Sequence, residues 1–486
     1  LSINLTIKGI ASQCIKCKAP SPTEKCSRNK TEPNMKSTEL LEQFLQVNPE
    51  IEIFEVILHD LNGIHRGKWL PREQIYKLFE GGYKMPQSTC SLDSWGRDLE
   101  QLVTETGDTD GICTPHPETL AVVPWADRPT AQIIVSMLSP DGESDYPADP
   151  RVVLQRVLDG YAKLGLTPVV ASEMEFHLFE IDRDQFGRPK HTQRALDGSP
   201  ALGGETYGID AMRHMAPIMD AINSAASEQN LPVDTLISEF GASQCEINLH
   251  HQDCALRACD QASMLRRAIR SVAHQHSKIA TFMAKPFAED VGNGMHIHFS
   301  LIDSSGNNVF DNGTPEGSEL LQHAVAGCLQ TLSDCVAIFA PNINSYRRLV
   351  PGCYAPTAPT WGYENRTTAL RIPAGEGHAM RIENRVAGAD ANVYLTVAAM
   401  LAGALYGIEH KLLPPAVTTG DASELELPAE QQLPCYWSDA LQIFEQSEFM
   451  RDYLGEEFKT VYAQSKYKEK SEFDSRVTLL EYDAYL

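Results

Sequence analysis

The segment SEMEFHLFE, residues 172–180, places two glutamates two positions apart inside an apolar and aromatic run. Alternate residues of a β-strand point to the same face, so Glu173, Glu175 and His177 share one face. Neighbouring carboxylates repel each other, and burying either one without a partner costs free energy. The pattern therefore requires a cation beside this strand, and other segments are expected to complete its site.

Three later segments repeat this alternation with ligand-type residues on one face. The residues that share this face are Glu246, Asn248 and His250 in QCEINLHH, His296, His298 and Ser300 in GMHIHFSLI, and Arg381, Glu383 and Arg385 in MRIENRV. One such strand alone is usually just half exposed, but four with these residue types are harder to explain in that way. Adding Glu239 gives five carboxylates and a histidine, a donor set that suits Mg²⁺ or Mn²⁺ better than a structural zinc.

Arginines form the other half of the pattern. They are Arg347, Arg348, Arg366, Arg371, Arg381 and Arg385. Some arginines in any protein form surface salt bridges, but arginine is also suited to bidentate binding of carboxylate and phosphate. Together with metal-binding carboxylates, they indicate phosphoryl transfer from a nucleotide. The pattern GxxxxGK[ST] and a GxGxxG loop at a strand-to-helix turn are both absent from the sequence, which argues against P-loop and Rossmann enzymes.

Composition limits the partners. The net charge of −24 disfavours duplex nucleic acid or an anionic membrane surface as a partner, and no run of about 18 consecutive apolar residues predicts a membrane span. Residues 1–34 are predicted to be a disordered extension, with Met35 as a plausible natural start. Its Cys14, Cys17 and Cys26 are fewer than the four ligands of a usual zinc site. The other nine cysteines are scattered, so we expect a reduced, cytoplasmic protein.

The hydrophobic pattern predicts an α+β chain in two parts. A small β-rich domain is predicted over residues 35–145, beginning with a helix at 38–48 and two strands joined by a turn at Asn62-Gly63. The acidic, turn-rich segment 139–150 marks the boundary to a catalytic domain over 146–486. Helical patterns in that domain follow the boundary at 150–165 and recur at 208–229, 255–277, 317–338 and 390–409.

At these residues the chain resembles the glutamine synthetase superfamily of type I, from about residue 50 to 486. The matching blocks are EMEFHLFE, GNGMHIHFSL, NSYRRLVPG, NRTTALRIP and RIENRVAGADANVYL, in this order. The resemblance implies a β-grasp N-terminal domain and a catalytic domain whose antiparallel sheet forms a funnel-shaped active site. It implies a homo-oligomer, a dodecamer of two hexameric rings with active sites between subunits. It also implies a reaction in which ATP phosphorylates the side chain of glutamate and an amine attacks the γ-glutamyl phosphate.

The resemblance also assigns roles to individual residues. Two metal sites would be formed by Glu175, Glu239 and Glu246, and by Glu173, His296 and Glu383, with Mg²⁺ or Mn²⁺ as the cation. The amino-acid substrate and the transferring phosphoryl group would contact Gly292, Arg348, Arg366 and Arg385. ATP would contact Asp234, His298, Ser300, Arg371 and Arg381. Glu173 and Glu175 would thus belong to neighbouring metals, whose charge compensates their repulsion.

Departures from the family pattern bear on the amine. Ammonia-using members carry a glutamate in the flap after RLVPG, where this chain has Tyr354, and an aspartate in a DGSS loop, where it has MPQSTCSLDSWG. Asp93 is the only partial substitute that we identify. Tyr354 is expected either to form an aromatic face with Trp361 and Tyr363 for a carbon chain or a cation, or to pack with them against a neighbouring subunit. With these departures, the chain resembles the γ-glutamylpolyamine synthetase subgroup of the superfamily.

Three functions remain open at this point. The favoured one is an ATP-dependent ligase that joins glutamate to an organic amine, putrescine or another polyamine in first place. The second is a glutamine synthetase that uses ammonia through an altered flap. The third, of a different class, is a structural member of the superfamily without activity, which the retention of all six matched metal ligands disfavours.

Overall fold

The computed structural model describes residues 34–194, 198–375, 377–428 and 431–486. Of the predicted N-terminal extension, only Asn34 falls within the described residues, as the first residue of a helix. The predictions for Cys14, Cys17 and Cys26 lie outside them.

The chain contains both helices and strands, as predicted for an α+β protein. The helices are α1 Asn34–Val47, α2 Ile75–Phe79, α3 Glu100–Thr106, α4 Pro150–Lys163, α5 Ile209–Glu228, α6 Ala255–Gln275, α7 Glu319–Gln330, α8 Leu332–Phe339, α9 Val393–His410, α10 Trp437–Gln446, α11 Glu456–Asp474 and α12 Leu479–Tyr485. The strands are β1 Ile53–His59, β2 His65–Pro71, β3 Lys84–Pro86, β4 Asp110–Pro115, β5 Ala121–Val122, β6 Thr130–Leu138, β7 Thr167–Arg183, β8 Pro189–His191, β9 Val233–Ser238, β10 Gln244–Leu249, β11 Lys278–Thr281, β12 Met295–Ile302, β13 Trp361–Tyr363, β14 Leu370–Ile372 and β15 Ile382–Asn384.

A mixed sheet with the order β2-β1-β6-β4-β3 forms the N-terminal part, and β5 pairs with β6. The predicted turn between β1 and β2 is confirmed. Asp60 accepts hydrogen bonds from the backbone N–H groups of Asn62 (2.9 Å) and Ile64 (2.8 Å), and Gly63 has a φ of +69°, which suits glycine. Residues 34–486 form one compact unit, so the domain boundary near residue 145 stays a prediction.

A second sheet carries the alternating segments, in the order β13-β14-β15-β12-β7-β10-β9, with β8 and β11 also on β7. Its pairs are antiparallel except β13 with β14. The long strand β7 lies between β12 and β10, so its glutamates face residues that are far away in sequence. The registers place Glu246 opposite Glu175, Asn248 and His296 opposite Glu173, and His298 and Arg371 opposite Glu383. Pairing therefore brings all four alternating faces into one polar surface.

Helix α9 is the most deeply buried helix of this part. Among the described residues it alone is long and apolar enough to cross a membrane by length and composition, but 78% of it is buried inside the protein. Its sequence contains no uninterrupted apolar run of membrane-spanning length, because Thr396 and Gly403 interrupt it. Such burial is typical of a core helix. The helix predicted at 317–338 is divided into α7 and α8 at Thr331.

Helix α11 is tied to the N-terminal loops by a buried ion pair. Lys466 lies 2.9 Å from Glu469, and both side chains are almost fully buried. The other oxygen of Glu469 accepts hydrogen bonds from Asn62 (3.1 Å) and from the backbone and hydroxyl of Ser94 (2.7 Å each). Because the charges are paired and hydrogen-bonded, their burial is tolerated, and the loop after β3 has a fixed position.

Candidate active site

Five of the six predicted metal ligands converge on the polar face of the second sheet. Two groups have ligand atoms that all lie within 4.8 Å of one another: Glu173 with His296 and Glu383, and Glu175 with Glu246 and His296. The first group is the predicted second metal site. The second group contains two of the predicted first-site ligands, with His296 where Glu239 was predicted. The donors are carboxylate oxygens and imidazole nitrogens, which fit Mg²⁺ or Mn²⁺.

His296 and His298 both face Glu173. The Nδ1 atom of His296 lies 3.1 Å from Oε2 of Glu173, and Nε2 of His298 lies 3.0 Å from Oε1. A carboxylate only accepts, so His296 donates through Nδ1, and in the neutral imidazole the Nε2 atom then carries the lone pair that a metal needs. Burial opposes ionisation of Glu173, but hydrogen bonds from the two imidazoles outweigh it and hold its pKa well below the ordinary value.

Glu175 is oriented by neighbours that the sequence reasoning missed. The backbone N–H of Gly294 donates to its Oε2 at 2.6 Å, and the Gln244 amide donates to the same atom at 3.2 Å. Gln244 also donates to the Gly292 carbonyl at 2.9 Å, and the Asn293 side chain lies 2.7 Å from Nδ1 of the buried His177. Gln244 was recognisable from sequence, because it is two positions before Glu246 on the same face of β10.

The remaining carboxylates are crowded. Burial, and then the negative charges of Glu173 and Glu175, raises the pKa of Glu246 well above its ordinary value. Burial and then the charge of Glu175 raises the pKa of Glu239 to about 7, against the opposing charge of Arg366. Glu239 thus lies within electrostatic reach of the cluster, although it is outside the two groups. These raised values indicate a site that gains stability from bound cations.

Glu383 lies between two arginines. Arg371 donates to its Oε2 at 2.8 Å, and Arg385 donates to its Oε1. Burial opposes ionisation of Glu383, but His296 and then Arg385 outweigh it and lower the pKa to about 2. Arg371 also reaches Glu364 at 3.3 Å. Both arginines are therefore held at the edge of the carboxylate–histidine cluster.

Arg348 is buried against the loop before β12. Its guanidinium donates to the carbonyls of Val386 (2.8 Å) and Arg385 (3.4 Å). Burial lowers the pKa of Arg348, against the opposing charge of Glu175. Two glycines leave the room for it, since a Cβ at residue 294 would lie 2.8 Å from its Nη2 atom, and one at Gly292 would lie 3.0 Å from its Cγ atom.

We expect Gly292→Ala to lower both stability and substrate affinity. The new Cβ would lie 2.4 Å from the carbonyl oxygen of Ala284, a contact that forces the backbone or Arg348 to move. Overpacking of this kind costs about 1–3 kcal/mol of unfolding free energy. The measurements are thermal unfolding and the KM for glutamate. A variant with the melting temperature and KM of the parent would show that the close approach is not required.

The predicted nucleotide residues lie in different surroundings. Arg381 donates to Nδ1 of His298 at 3.2 Å, and Ser300 is buried two positions further along β12. Asp234 is exposed on β9, 3.6 Å from Nε2 of His250. Arg366, which was predicted to contact the amino-acid substrate and the phosphoryl group, is exposed, and its charge opposes the rise in the pKa of Glu239. The roles assigned to these residues remain predictions.

Two expectations about the amine need correction. Trp361 is only 4% exposed, its ring lies 5.4 Å from that of Tyr363, and its indole N–H donates to the Pro415 carbonyl at 2.9 Å. The predicted open aromatic face of Trp361 is therefore wrong, because its ring is used in packing. Tyr354 instead contacts Phe240, with ring centroids 5.9 Å apart. No sequence signal indicated Phe240, because the contact joins two separate loops.

Asp93 does not present an uncompensated charge. Its carboxylate is buried, lies 2.7 Å from the Arg97 guanidinium, and accepts the backbone N–H groups of Trp95 and Arg97 at 2.9 Å each. Burial opposes ionisation, but these hydrogen bonds lower the pKa of Asp93. This pairing within its own loop argues against Asp93 as a partial substitute for the ammonium-binding aspartate.

Comparisons with known proteins agree with this geometry. The family model described as glutamine synthetase, catalytic domain, matches residues 147–485. The Escherichia coli (strain K12) protein named gamma-glutamylputrescine synthetase PuuA is 39% identical over 446 residues, which cover 91% of this chain and 93% of that protein. A Pseudomonas sp. protein named glutamate–isopropylamine ligase is 32% identical over 440 residues, covering 88% of this chain and 93% of that protein.

A solved structure, described as a GmaS/ADP complex, covers 92% of this chain and 99% of its own, with a TM-score of 0.80 and 28% sequence identity. The predicted fold is confirmed by this likeness. The chain belongs to the glutamine synthetase family.

Proposed function

We propose that this protein is an ATP-dependent ligase that joins the γ-carboxylate of glutamate to a primary amine, with putrescine or another polyamine preferred. The observation that carries the proposal is the convergence of a carboxylate–histidine cluster with Arg348, Arg371 and Arg385, in a chain whose flap has Tyr354 in place of a carboxylate. A family member without activity would not need this crowded cluster, which is unfavourable in the absence of cations.

The donor set of the site fits divalent cations. Glu173, His296 and Glu383 would hold one ion and Glu175, Glu246 and His296 would line the second, with Glu239 near it. Burial, and then the negative charge of the neighbouring carboxylates, raises the pKa values of Glu239 and Glu246. When bound, Mg²⁺ or Mn²⁺ would neutralise charge on ATP phosphates during transfer of the γ-phosphoryl group.

The remaining residues bind and orient the reactants. Arg348 and Arg366 would hold glutamate and the phosphoryl group, with Gly292 shaping the amino-acid site. Arg385 and Arg371 are aimed by Glu383 and would contact the transferring phosphoryl group and the nucleotide phosphates. An arginine placed where charge develops stabilises the transition state. The products of this scheme are ADP, phosphate and a γ-glutamyl amide, formed when the amine attacks the γ-glutamyl phosphate.

The choice of an alkylamine over ammonia rests on two supports. Ammonia-using members attract ammonium with two carboxylates. In this chain Tyr354 replaces the first, and Asp93, in the region of the second, is paired with Arg97. The names of two relatives specify putrescine and isopropylamine as the amines. A glutamine synthetase activity with ammonia is the second candidate.

One assay separates the candidates. Glutamate-dependent release of phosphate from ATP is measured with ammonium, putrescine, spermidine and monoamines as acceptors. We expect kcat/KM to be about tenfold or more higher for the best amine than for ammonium. A preference for ammonium would establish the second candidate, and absence of turnover with every acceptor would indicate a member without activity.

Tyr354→Glu is expected to shift this ratio towards ammonium by about tenfold, or roughly 1.4 kcal/mol. The new carboxylate would attract and help to deprotonate ammonium, as in the ammonia-using pattern. Tyr207→Glu, also an exposed tyrosine with a positive φ, serves as the control for added charge. An unchanged ratio in Tyr354→Glu would remove the role given to Tyr354 and leave the ligase activity standing.

We further propose a homo-oligomer, a double ring of hexamers in the cytoplasm. Helix α12 has an exposed apolar surface, since Leu479, Leu480 and Tyr485 are 72%, 75% and 85% exposed. A second copy of the chain would cover it. In support of a reducing compartment, six buried cysteines are free: Cys90, Cys113, Cys245, Cys259, Cys328 and Cys335.

Replacing both Leu479 and Leu480 by serine is expected to lower the mass of the assembly, measured by light scattering after gel filtration. The loss of two buried leucines would cost about 3 kcal/mol or more per contact. Leu413→Ser, an equally exposed leucine outside α12, is the matched control. An unchanged mass in the double variant would exclude α12 as the contact.

A further inference from the structure

Phe240 and Tyr354 form an exposed aromatic pair. Their ring centroids are 5.9 Å apart at an interplanar angle of 52°, and the side chains are 44% and 76% exposed. Exposing two large aromatic side chains together is unfavourable in water. The backbone of Tyr354 has a φ of +54°, which is rare for a bulky residue. Such strain is retained where the surroundings hold a side chain in one position, often at a functional site.

Both residues are anchored to the active site by their neighbours. Phe240 directly follows Glu239, the sixth predicted metal ligand, whose backbone N–H donates to the carbonyl of Gln244 at 3.0 Å. Its carbonyl accepts the backbone N–H of Gly204 at 2.7 Å, which fixes the loop. On the other side, Cys353 precedes Tyr354 and lies 3.2 Å from the ammonium group of the buried Lys285.

Lys285 in turn is held beside the arginine of the site. Its backbone N–H donates to Asn344 at 2.8 Å, four residues before Arg348 in the same segment. The Lys285 ammonium also donates to the Asp290 carbonyl, and the Asp290 carboxylate accepts the backbone N–H of Ala242, two residues after Phe240, at 3.2 Å. The aromatic pair therefore lies at the rim of the site, between the loop of Glu239 and the flap.

We infer that Phe240 and Tyr354 together form the apolar wall that receives the carbon chain of the amine, so that Phe240 determines specificity for chain length. This inference rests on the proposed ligase function. Ammonium has no carbon chain to place there, whereas each methylene of an alkylamine would remove apolar surface of the pair from water. A ring face also attracts a cation, which suits the distal ammonium of a diamine.

The test is a series of n-alkylamines from methylamine to pentylamine, with kcat/KM measured for each. In the parent enzyme we expect kcat/KM to rise about fourfold per added methylene, the factor that burial of one CH₂ group supplies. Phe240→Ala is expected to reduce this rise to below about twofold per methylene. Phe240→Leu, which keeps apolar bulk, is expected to retain most of the rise.

Phe186→Ala is the matched control, because Phe186 is exposed in the loop after β7 and contacts Arg188. It is expected to leave the series unchanged. The same chain-length dependence in Phe240→Ala as in the parent, with amide formed, overturns the inference alone. The inference is also overturned if Phe240→Ala lowers only the mass of the assembly, since the pair is then a subunit contact. If the parent forms no amide with any amine, the proposed function fails together with the inference.

Discussion

Glu246→Ala is expected to lower ligase activity by about 100-fold or more and to raise the stability of the metal-free protein. Glu246 faces Glu175 across β10 and β7, and burial with the nearby negative charges raises its pKa. Removing it relieves repulsion in the metal-free state and removes a ligand from the metal-bound state. Stability is measured by thermal unfolding with and without Mg²⁺ or Mn²⁺.

The parent enzyme should be stabilised by the cation, by about 2.7 kcal/mol when the free ion is at 100 times its dissociation constant. Glu246→Ala should gain much less. Glu180→Ala is the matched control, because Glu180 is on the same strand but pairs with Lys278 at 2.8 Å outside the cluster. Equal stabilisation of parent and Glu246→Ala by the ion, or full activity in chelator, would remove the metal hypothesis.

The pKa shifts also give this cluster a pH dependence. Glu239 has a folded-state pKa of about 7 against an ordinary value of 4.5, so the unfolded chain loses its proton at lower pH than the folded one. In the metal-free protein, protonated Glu239 therefore contributes to the free energy of unfolding fully below pH 4.5. This contribution is lost as the pH rises from 4.5 to above 7. Bound cations should reduce that loss.

Arg366→Lys is expected to lower kcat by roughly 100-fold, although the charge is kept. Lysine is a point charge without the planar fork that binds a carboxylate or a phosphoryl group through two hydrogen bonds. Because Arg366 is exposed, the fold should be unaffected. Arg347→Lys, an exposed arginine next to Arg348, is the matched control. A variant with the kcat and KM of the parent would show that Arg366 has no role in binding glutamate or the phosphoryl group.

The local pattern determined much of the site. Alternation is a property of the strand itself, so the shared faces of Glu173 with Glu175 and of His296 with His298 could be predicted from the chain alone. The helices at 150–163, 209–228 and 255–275 were likewise predictable, because their apolar periodicity extends over several turns. The replacement of the flap glutamate by Tyr354 could also be read directly from the sequence.

Pairing between distant segments was decided only by the tertiary structure. The register of β12 on β7 places His296 opposite Glu173. His296 belongs to both groups of metal-ligand residues, and no local sequence pattern specifies this. Whether an aromatic residue is open or packed also depends on non-local contacts. The sequence could not distinguish the buried Trp361 from the exposed Phe240, nor show that Arg97 already compensates Asp93. The sequence alone determined which residue types line each strand, because side-chain direction is local; which of them meet, and which remain accessible to a substrate, was determined by long-range strand pairing and burial.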